Sequence, residues 1–221
     1  SRFGFGESRL LDMYGSSSGL LPSSEWKKAK YNESWYPGDS VNVGIGQGFM
    51  VATPIQMASA TAIIANRGEY HYPRLVDKVG DEPIEFDDKA GQLRKITLKN
   101  QGHWERMVVA MRKVITDDKG TARRLQGTEY SIAGKTGTGQ VFSLREDEEY
   151  DAEALEKRLH DHALFMGFAP AEAPKIAVFS IFENGGSSGK PADLAKLLFD
   201  AYLYDDFPTR YDYLKGSNHE R

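Results

Sequence analysis

Residues 131–141 read Ser131-Ile132-Ala133-Gly134-Lys135-Thr136-Gly137-Thr138-Gly139-Gln140-Val141. The stretch predicts a strand within Tyr130–Phe142. It places two hydroxyls, a cation and a glycine on one extended segment. Side chains two apart share a face of a strand, so Thr136 and Thr138 point together. Gly137 between them leaves the backbone open to close approach. Such an edge can bind a carboxylate and pair its backbone with an extended peptide. It can equally be a Lys- and Thr-rich surface strand that ends at a glycine turn. The Lys-Thr-Gly triplet alone leaves both readings open.

Two further strands are predicted downstream, Ala163–Ala169 (ALFMGFA) and Lys175–Glu183 (KIAVFSIFE). The second is mostly apolar, as a central strand would be. Asp151–His162 predicts a helix, with Leu155 and Leu159 four apart, and Pro191–Tyr204 a closing amphipathic one. Upstream, Asn100–Asp118 carries Trp104, Met107, Val108, Met111, Val114 and Ile115 at spacings of three and four, the pattern of an amphipathic helix. Gly120 follows it. Thr53-Pro54-Ile55-Gln56 has an N-cap Thr, Pro at the first helical position and Gln three residues after the cap. The Ala-rich run to Asn66 predicts a buried helix stopped by Gly68. Residues 1–48 read as loops with short helical turns. Residues 71–99, with Pro73 and Pro83, read as short strands or a surface insertion.

The 221 residues are 40% hydrophobic and 27% charged, an ordinary globular composition. The net charge of −4 carries no basic nucleic-acid footprint, so no nucleic-acid partner is expected. The chain has no cysteine, which excludes a thiol nucleophile, disulfides and Cys-ligated metal sites. No apolar run approaches the roughly 18 residues of a membrane span. Ser1-Arg2-Phe3-Gly4-Phe5-Gly6 is not a signal peptide. The chain reads as beginning in mid-protein, with any anchoring segment upstream.

Several segments fall in a telling order. Gly44-Ile45-Gly46-Gln47-Gly48 and Ala52-Thr53-Pro54-Ile55-Gln56-Met57 come first, then Gly120-Thr121-Ala122 and Ala133–Val141. Phe168-Ala169-Pro170 and Glu183-Asn184-Gly185-Gly186 close the series. This set resembles the C-terminal half of the transpeptidase domain of class B penicillin-binding proteins. Trp26-Lys27 and Trp35-Tyr36-Pro37-Gly38-Asp39 look like the elongation-type subgroup of Gram-negative bacteria. The resemblance covers about residues 1–205. It implies an α+β fold, an antiparallel sheet sandwiched by helices as in penicillin-binding proteins and β-lactamases, with the N-terminal part of the domain missing. Residues 1–206 would be the C-terminal part of that domain and 207–221 a polar tail.

The family's catalytic centre has three motifs, S-x-x-K, S-x-N and K-[ST]-G. Only the third has a good match here, and the first two are expected before residue 1. The implied activity is D,D-transpeptidation of peptidoglycan stem peptides during cell elongation, with acylation by β-lactams. Lys135 would supply positive potential and bond the S-x-N serine. Thr136 and Thr138, with Gly137 between them, would hold the substrate's terminal carboxylate. The Thr138 backbone N–H would serve the oxyanion hole. No cofactor or metal is implied. The implied partners are the elongation glycosyltransferase and rod-shape scaffold proteins, at the periplasmic face of the bacterial inner membrane. A D,D-carboxypeptidase or β-lactamase-type hydrolase and a non-catalytic binding module are the alternatives.

Other patterns compete. Ser24-Glu25-Trp26-Lys27 fits S-x-x-K and Ser40-Val41-Asn42 fits S-x-N. A nucleophilic serine needs a lysine desolvated enough to be neutral, whereas Lys27, followed by Lys28 and Lys30, suggests a short solvated cationic helix. Ser187-Ser188-Gly189-Lys190 lies in a Gly-rich loop. Gly44-x-Gly46-x-Gly48 lacks the last glycine of a dinucleotide fingerprint and reads as a tight turn. His160 and His162, two apart at an expected helix end, do not face each other, and a capping or core role for one of them fits better than a metal. Glu146–Glu149, beside Arg145, reads as a solvated loop.

Overall fold

The Thr53 signal marks a helix start, as its chemistry requires. In the computed structural model, which describes residues 1–221 apart from 11, 77, 84–92, 141–156, 187–188 and 205–221, the Thr53 hydroxyl accepts the Gln56 N–H at 3.3 Å. The Gln56 side-chain oxygen in turn accepts the Thr53 N–H at 2.9 Å. The chain divides into two compact units, Ser1–Lys99 and Asn100–Arg221.

The first unit holds helices α1 (Ser24–Tyr31), α2 (Pro37–Gly44) and α3 (Pro54–Ala65). Four two-residue strands follow: β1 (Glu69–Tyr70), β2 (Lys78–Val79), β3 (Glu82–Pro83) and β4 (Arg94–Lys95). They form two antiparallel pairs, β1 with β4 and β2 with β3. The expected loops with short helical turns over 1–48 are found, and of the short strands or surface insertion expected over 71–99 the described residues show β2, β3 and β4, with 77 and 84–92 lying outside them. Gln56 does more than cap α3. It is buried, and its amide nitrogen lies 3.1 Å from the Gly4 carbonyl, 3.0 Å from that of Glu7 and 2.7 Å from that of Ser18. One side chain thus binds the glycine-rich N-terminal loop at three points. Leu20 and Val51 add a reciprocal backbone pair. Asp12 accepts the N–H groups of Leu75 and Val76.

The second unit holds α4 (Gly102–Thr116), β5 (Ala133–Gly139), β6 (His162–Ala169), β7 (Ile176–Phe182) and α5 (Gly189–Tyr204). The three strands form an antiparallel sheet in the order β5-β6-β7. Thr136 stands opposite Phe165, and Phe165 opposite Ser180. Phe165, Ala169 and Val178 on one sheet face pack with Ile115 of α4 and with Ala192, Ala195 and Phe199 of α5. Fully burying the larger of these, Phe165, Val178, Ile115 and Phe199, contributes about 1.5–3 kcal/mol each. The sheet therefore rests on two helices, and among the described residues β5 is left at its edge.

Three expectations need correction. Among the described residues the apolar run KIAVFSIFE is not central. Among the described residues β6 is the middle strand and β7 an outer one, with Ile181 39% exposed. Val178 and Ser180 are buried on the face that packs against α5, while Ala177, Phe179 and Ile181 lie on the other face and are less covered. Met107 is 48% exposed although Trp104, Val108, Met111 and Ile115 are buried, because the buried stripe of α4 is narrower than the apolar pattern. Of the helix expected over 151–162, residues 151–156 lie outside the described residues. Lys157–Leu159 form one 3-10 turn, and His162 already begins β6.

Candidate functional site on the edge strand

The end of α4 positions the site. Its last carbonyls would be left without partners, and the chain turns back to satisfy them. Asp117 N–H bonds Lys113 O at 3.0 Å and Ala122 N–H bonds Val114 O at 3.0 Å. The Gln126 amide bonds Ile115 O at 2.7 Å. Gly120 sits inside this turn, where a Cβ would lie 2.4 Å from Val114 O and 2.8 Å from Lys113 O. Ala122 is fully buried in the core. Between these two fixed residues, Thr121 brings its hydroxyl to 2.8 Å from that of Thr136 on β5.

β5 carries the expected site residues at different depths. Thr136 and Thr138 share a face, as alternation demands. Thr136, opposite the fully buried Phe165, is only 8% exposed, whereas Thr138, opposite Ala163 nearer the strand end, is exposed. Lys135 is exposed, and its ammonium donates to the Thr136 carbonyl at 2.6 Å. Gly134 has no room for a side chain, since a Cβ there would lie 2.5 Å from the Phe165 ring and 2.9 Å from Met166 O. At Gly137 a Cβ would meet Leu164 at 3.3 Å. One edge of β5 pairs with β6. On its other edge, alternate residues turn N–H and C=O outward, ready to accept an extended chain. A cation and two hydroxyls on one face thus line one strand. Thr121, quoted above only as part of a motif, is the residue that the sequence reading left without a role. Its pairing with Thr136 spans 15 positions, and no local pattern reports it.

The competing motifs are occupied structurally. The Ser24 hydroxyl donates to Glu25 at 3.0 Å, and the Ser40 hydroxyl accepts the Trp35 indole N–H at 2.8 Å. α1 is short and exposed as expected, but Lys27 is not solvated, being 4% exposed. Its ammonium binds Asp39 at 2.7 Å, lies 3.7 Å from Glu33 and sits 4.8 Å from the centre of the Tyr36 ring. The Asp39 hydrogen bond raises the Lys27 pKa, so this lysine is held charged, the opposite of a base. Gly46 and Gly48 have φ of 79° and 70° and make the expected tight turn. His162 begins a strand and does not end a helix; its Nδ1 accepts the Asn184 N–H at 3.0 Å. Ser187, Ser188 and the 145–149 run lie outside the described residues. Among the described residues no group of three or more acidic or histidine side chains could hold a metal.

The Lys27–Asp39 tie gives a pH dependence. Lys27 and the Tyr36 N–H lower the Asp39 pKa. A lowered acid stabilises the fold above its unfolded value, about 3.9, and this is lost as pH falls through the folded value. A raised lysine stabilises below its unfolded value, about 10.4, and this is lost as pH rises past the folded value. The α1–α2 junction is thus held fully between about pH 4 and 10. Fluorescence of Trp26 and Trp35 should report loosening below about pH 4. In Asp39→Asn that acid step should vanish, while the junction is looser at neutral pH. An unchanged acid step in the variant would rule the tie out as its source.

Residues 1–200 match the family model described as penicillin binding protein transpeptidase domain. The chain is 38% identical over 208 residues to the peptidoglycan D,D-transpeptidase MrdA of Haemophilus influenzae, covering 93% of this chain and 32% of that protein. It is similar to the crystal structure of Pseudomonas aeruginosa PBP2 in complex with WCK 5153, with 40% identity and a TM-score of 0.78 over 95% of this chain and 43% of that one. It is also similar to PBP2 of Helicobacter pylori in its complex with MreC, at 27% identity and a TM-score of 0.75, over 92% of this chain and 34% of that one. The chain thus spans about a third of the length of the curated relative.

Proposed function

Because the chain belongs to the penicillin-binding protein transpeptidase family, we propose that these residues form the substrate-binding edge of a peptidoglycan D,D-transpeptidase acting in cell elongation. The observation that carries this is the β5 edge, where the exposed Lys135 and Thr138 flank the buried Thr136 on one strand. An acyl-D-Ala-D-Ala stem peptide is an extended chain ending in a carboxylate. It fits that edge as an added strand, with its anion at the hydroxyls. The Thr138 N–H polarises the scissile carbonyl, as an oxyanion-hole donor does.

This reading places the nucleophile outside these 221 residues; it is supported by Ser24 and Ser40 being engaged elsewhere and by Lys27 being held charged, while Ser187 lies outside the described residues. That serine attacks the D-Ala-D-Ala amide. The C–N bond breaks, and D-Ala leaves with the proton that the serine gave up. The amine of a second stem peptide then attacks the ester, forming a new amide and restoring the serine O–H. A penicillin acylates the same serine by opening its ring. Lys135 supplies positive potential to this site and bonds the serine of the S-x-N motif. No cofactor is needed. A scaffold partner of the MreC kind and an elongation glycosyltransferase are proposed partners; the Helicobacter pylori complex supports the first. The site of action is the periplasmic face of the inner membrane. No described helix is long and apolar enough to cross a membrane.

The test is penicillin labelling of the enzyme that joins these residues to the nucleophile segment. Thr138→Val keeps the shape and deletes one hydroxyl to the carboxylate, so acylation should fall by about tenfold, as for loss of one hydrogen bond to a charged group. Ser24→Ala should label normally. Acylation within twofold of wild type in Thr138→Val would refute the carboxylate role. Loss of labelling in a folded Ser24→Ala would move the nucleophile into this chain.

A further inference from the structure

Thr121 is exposed, yet both of its chain neighbours are fixed in place. Gly120 before it tolerates no side chain, and Ala122 after it is fully buried and bonded to Val114. The Arg123 guanidinium also donates to Asp118 O at 3.0 Å, closing the same turn. What this scaffold presents is a hydroxyl 2.8 Å from that of the buried Thr136. We propose that Thr121 is a positioning residue for carboxylate recognition, which directs the Thr136 proton toward the substrate anion. This rests on the reading of β5 as the carboxylate-binding edge.

The physical argument is one of proton count. A hydroxyl has one proton and two lone pairs. In a pair of hydroxyls either can donate, and without an anion both arrangements are open. When a carboxylate lies beside Thr136, only one arrangement serves it. Thr121 then donates to Thr136, and the Thr136 proton turns to the anion. Hydrogen bonds arranged in such a chain polarise and strengthen one another. Lys135 donates to the carbonyl of the same Thr136, so the cation lies on the same residue as the relay. With valine at 121, Thr136 loses the donor that fixes its proton and is left with one poorly solvated hydroxyl to orient alone.

The experiment compares acylation of the nucleophile-containing enzyme by a penicillin and by its methyl ester, which has the ring but not the anion. Thr121→Val should lower acylation by the free acid by about tenfold, the scale of one hydrogen bond to a charged group. The ester should change less than twofold. Thr121→Ser keeps the hydroxyl and should restore the acid rate. In a Thr136→Val background Thr121→Val should cost nothing further, because coupled residues are non-additive. Equal losses for acid and ester, failure of serine to rescue, or loss of the circular dichroism spectrum in Thr121→Val would each reduce Thr121 to a structural role and overturn the proposal. If Thr136→Val and Thr138→Val lower the acid-to-ester preference while Thr121→Val does not, the proposal fails and the binding-edge reading stands. If none of the three lowers it, the binding-edge reading itself fails, and the proposal with it.

Discussion

Lys135→Met should lower penicillin acylation by about 100- to 1,000-fold, the range for loss of one preorganised electrostatic group at a reacting centre. The fold should be unaffected, because Lys135 is exposed and its one described hydrogen bond goes to the carbonyl of the next residue. Methionine keeps the length of the stem and its apolar contact while removing the charge. The relevant measurement is the second-order acylation rate in the nucleophile-containing enzyme, at two ionic strengths. Wild type should slow as salt rises, because a cationic edge attracts an anionic substrate over a Debye length of about 10 Å at 0.1 M. The variant should show less of that slope. A rate within threefold of wild type would mean that the cation of the Lys-Thr-Gly segment is not part of the chemistry.

Gly120→Ala should destabilise the second unit by about 3 kcal/mol, at the upper end for overpacking. The added Cβ would stand 2.4 Å from one helical carbonyl and 2.8 Å from another. Neither atom can yield without breaking the bonds that close α4. Urea unfolding should show a lower midpoint with an unchanged slope. Because the turn also carries Thr121, any folded fraction should bind carboxylate ligands more weakly. Wild-type stability in this variant would mean that the turn relaxes freely, which would also undercut the fixed placement of Thr121.

The local signals read correctly for local reasons. The capping box at Thr53 and Gln56 depends on four consecutive residues, and the structure forms it. The strands at 133–139, 162–169 and 176–182 and the helices at 102–116 and 189–204 fall close to the expected segments. Expectations about depth fared worse. KIAVFSIFE was apolar enough for a central strand and lies at the outer position among the described residues. Lys27 sat in a cationic run and is buried against Asp39 and two rings. Whether a side chain is covered depends on distant segments, and periodicity does not report them.

For the site, the sequence by itself determined which groups share a strand: Lys135, Thr136, Gly137 and Thr138 are neighbours, and a two-residue period puts both hydroxyls on one face. It also determined the order of the flanking motifs, on which the family resemblance rests. Only the tertiary structure decided that β5 stands at the edge of the sheet among the described residues, that Thr136 is buried while Thr138 is exposed, and that Thr121 reaches Thr136 from the turn after α4. Pairing order and burial are set by which helices cover which face. Those contacts join residues far apart in the chain, and they form only when the whole unit packs.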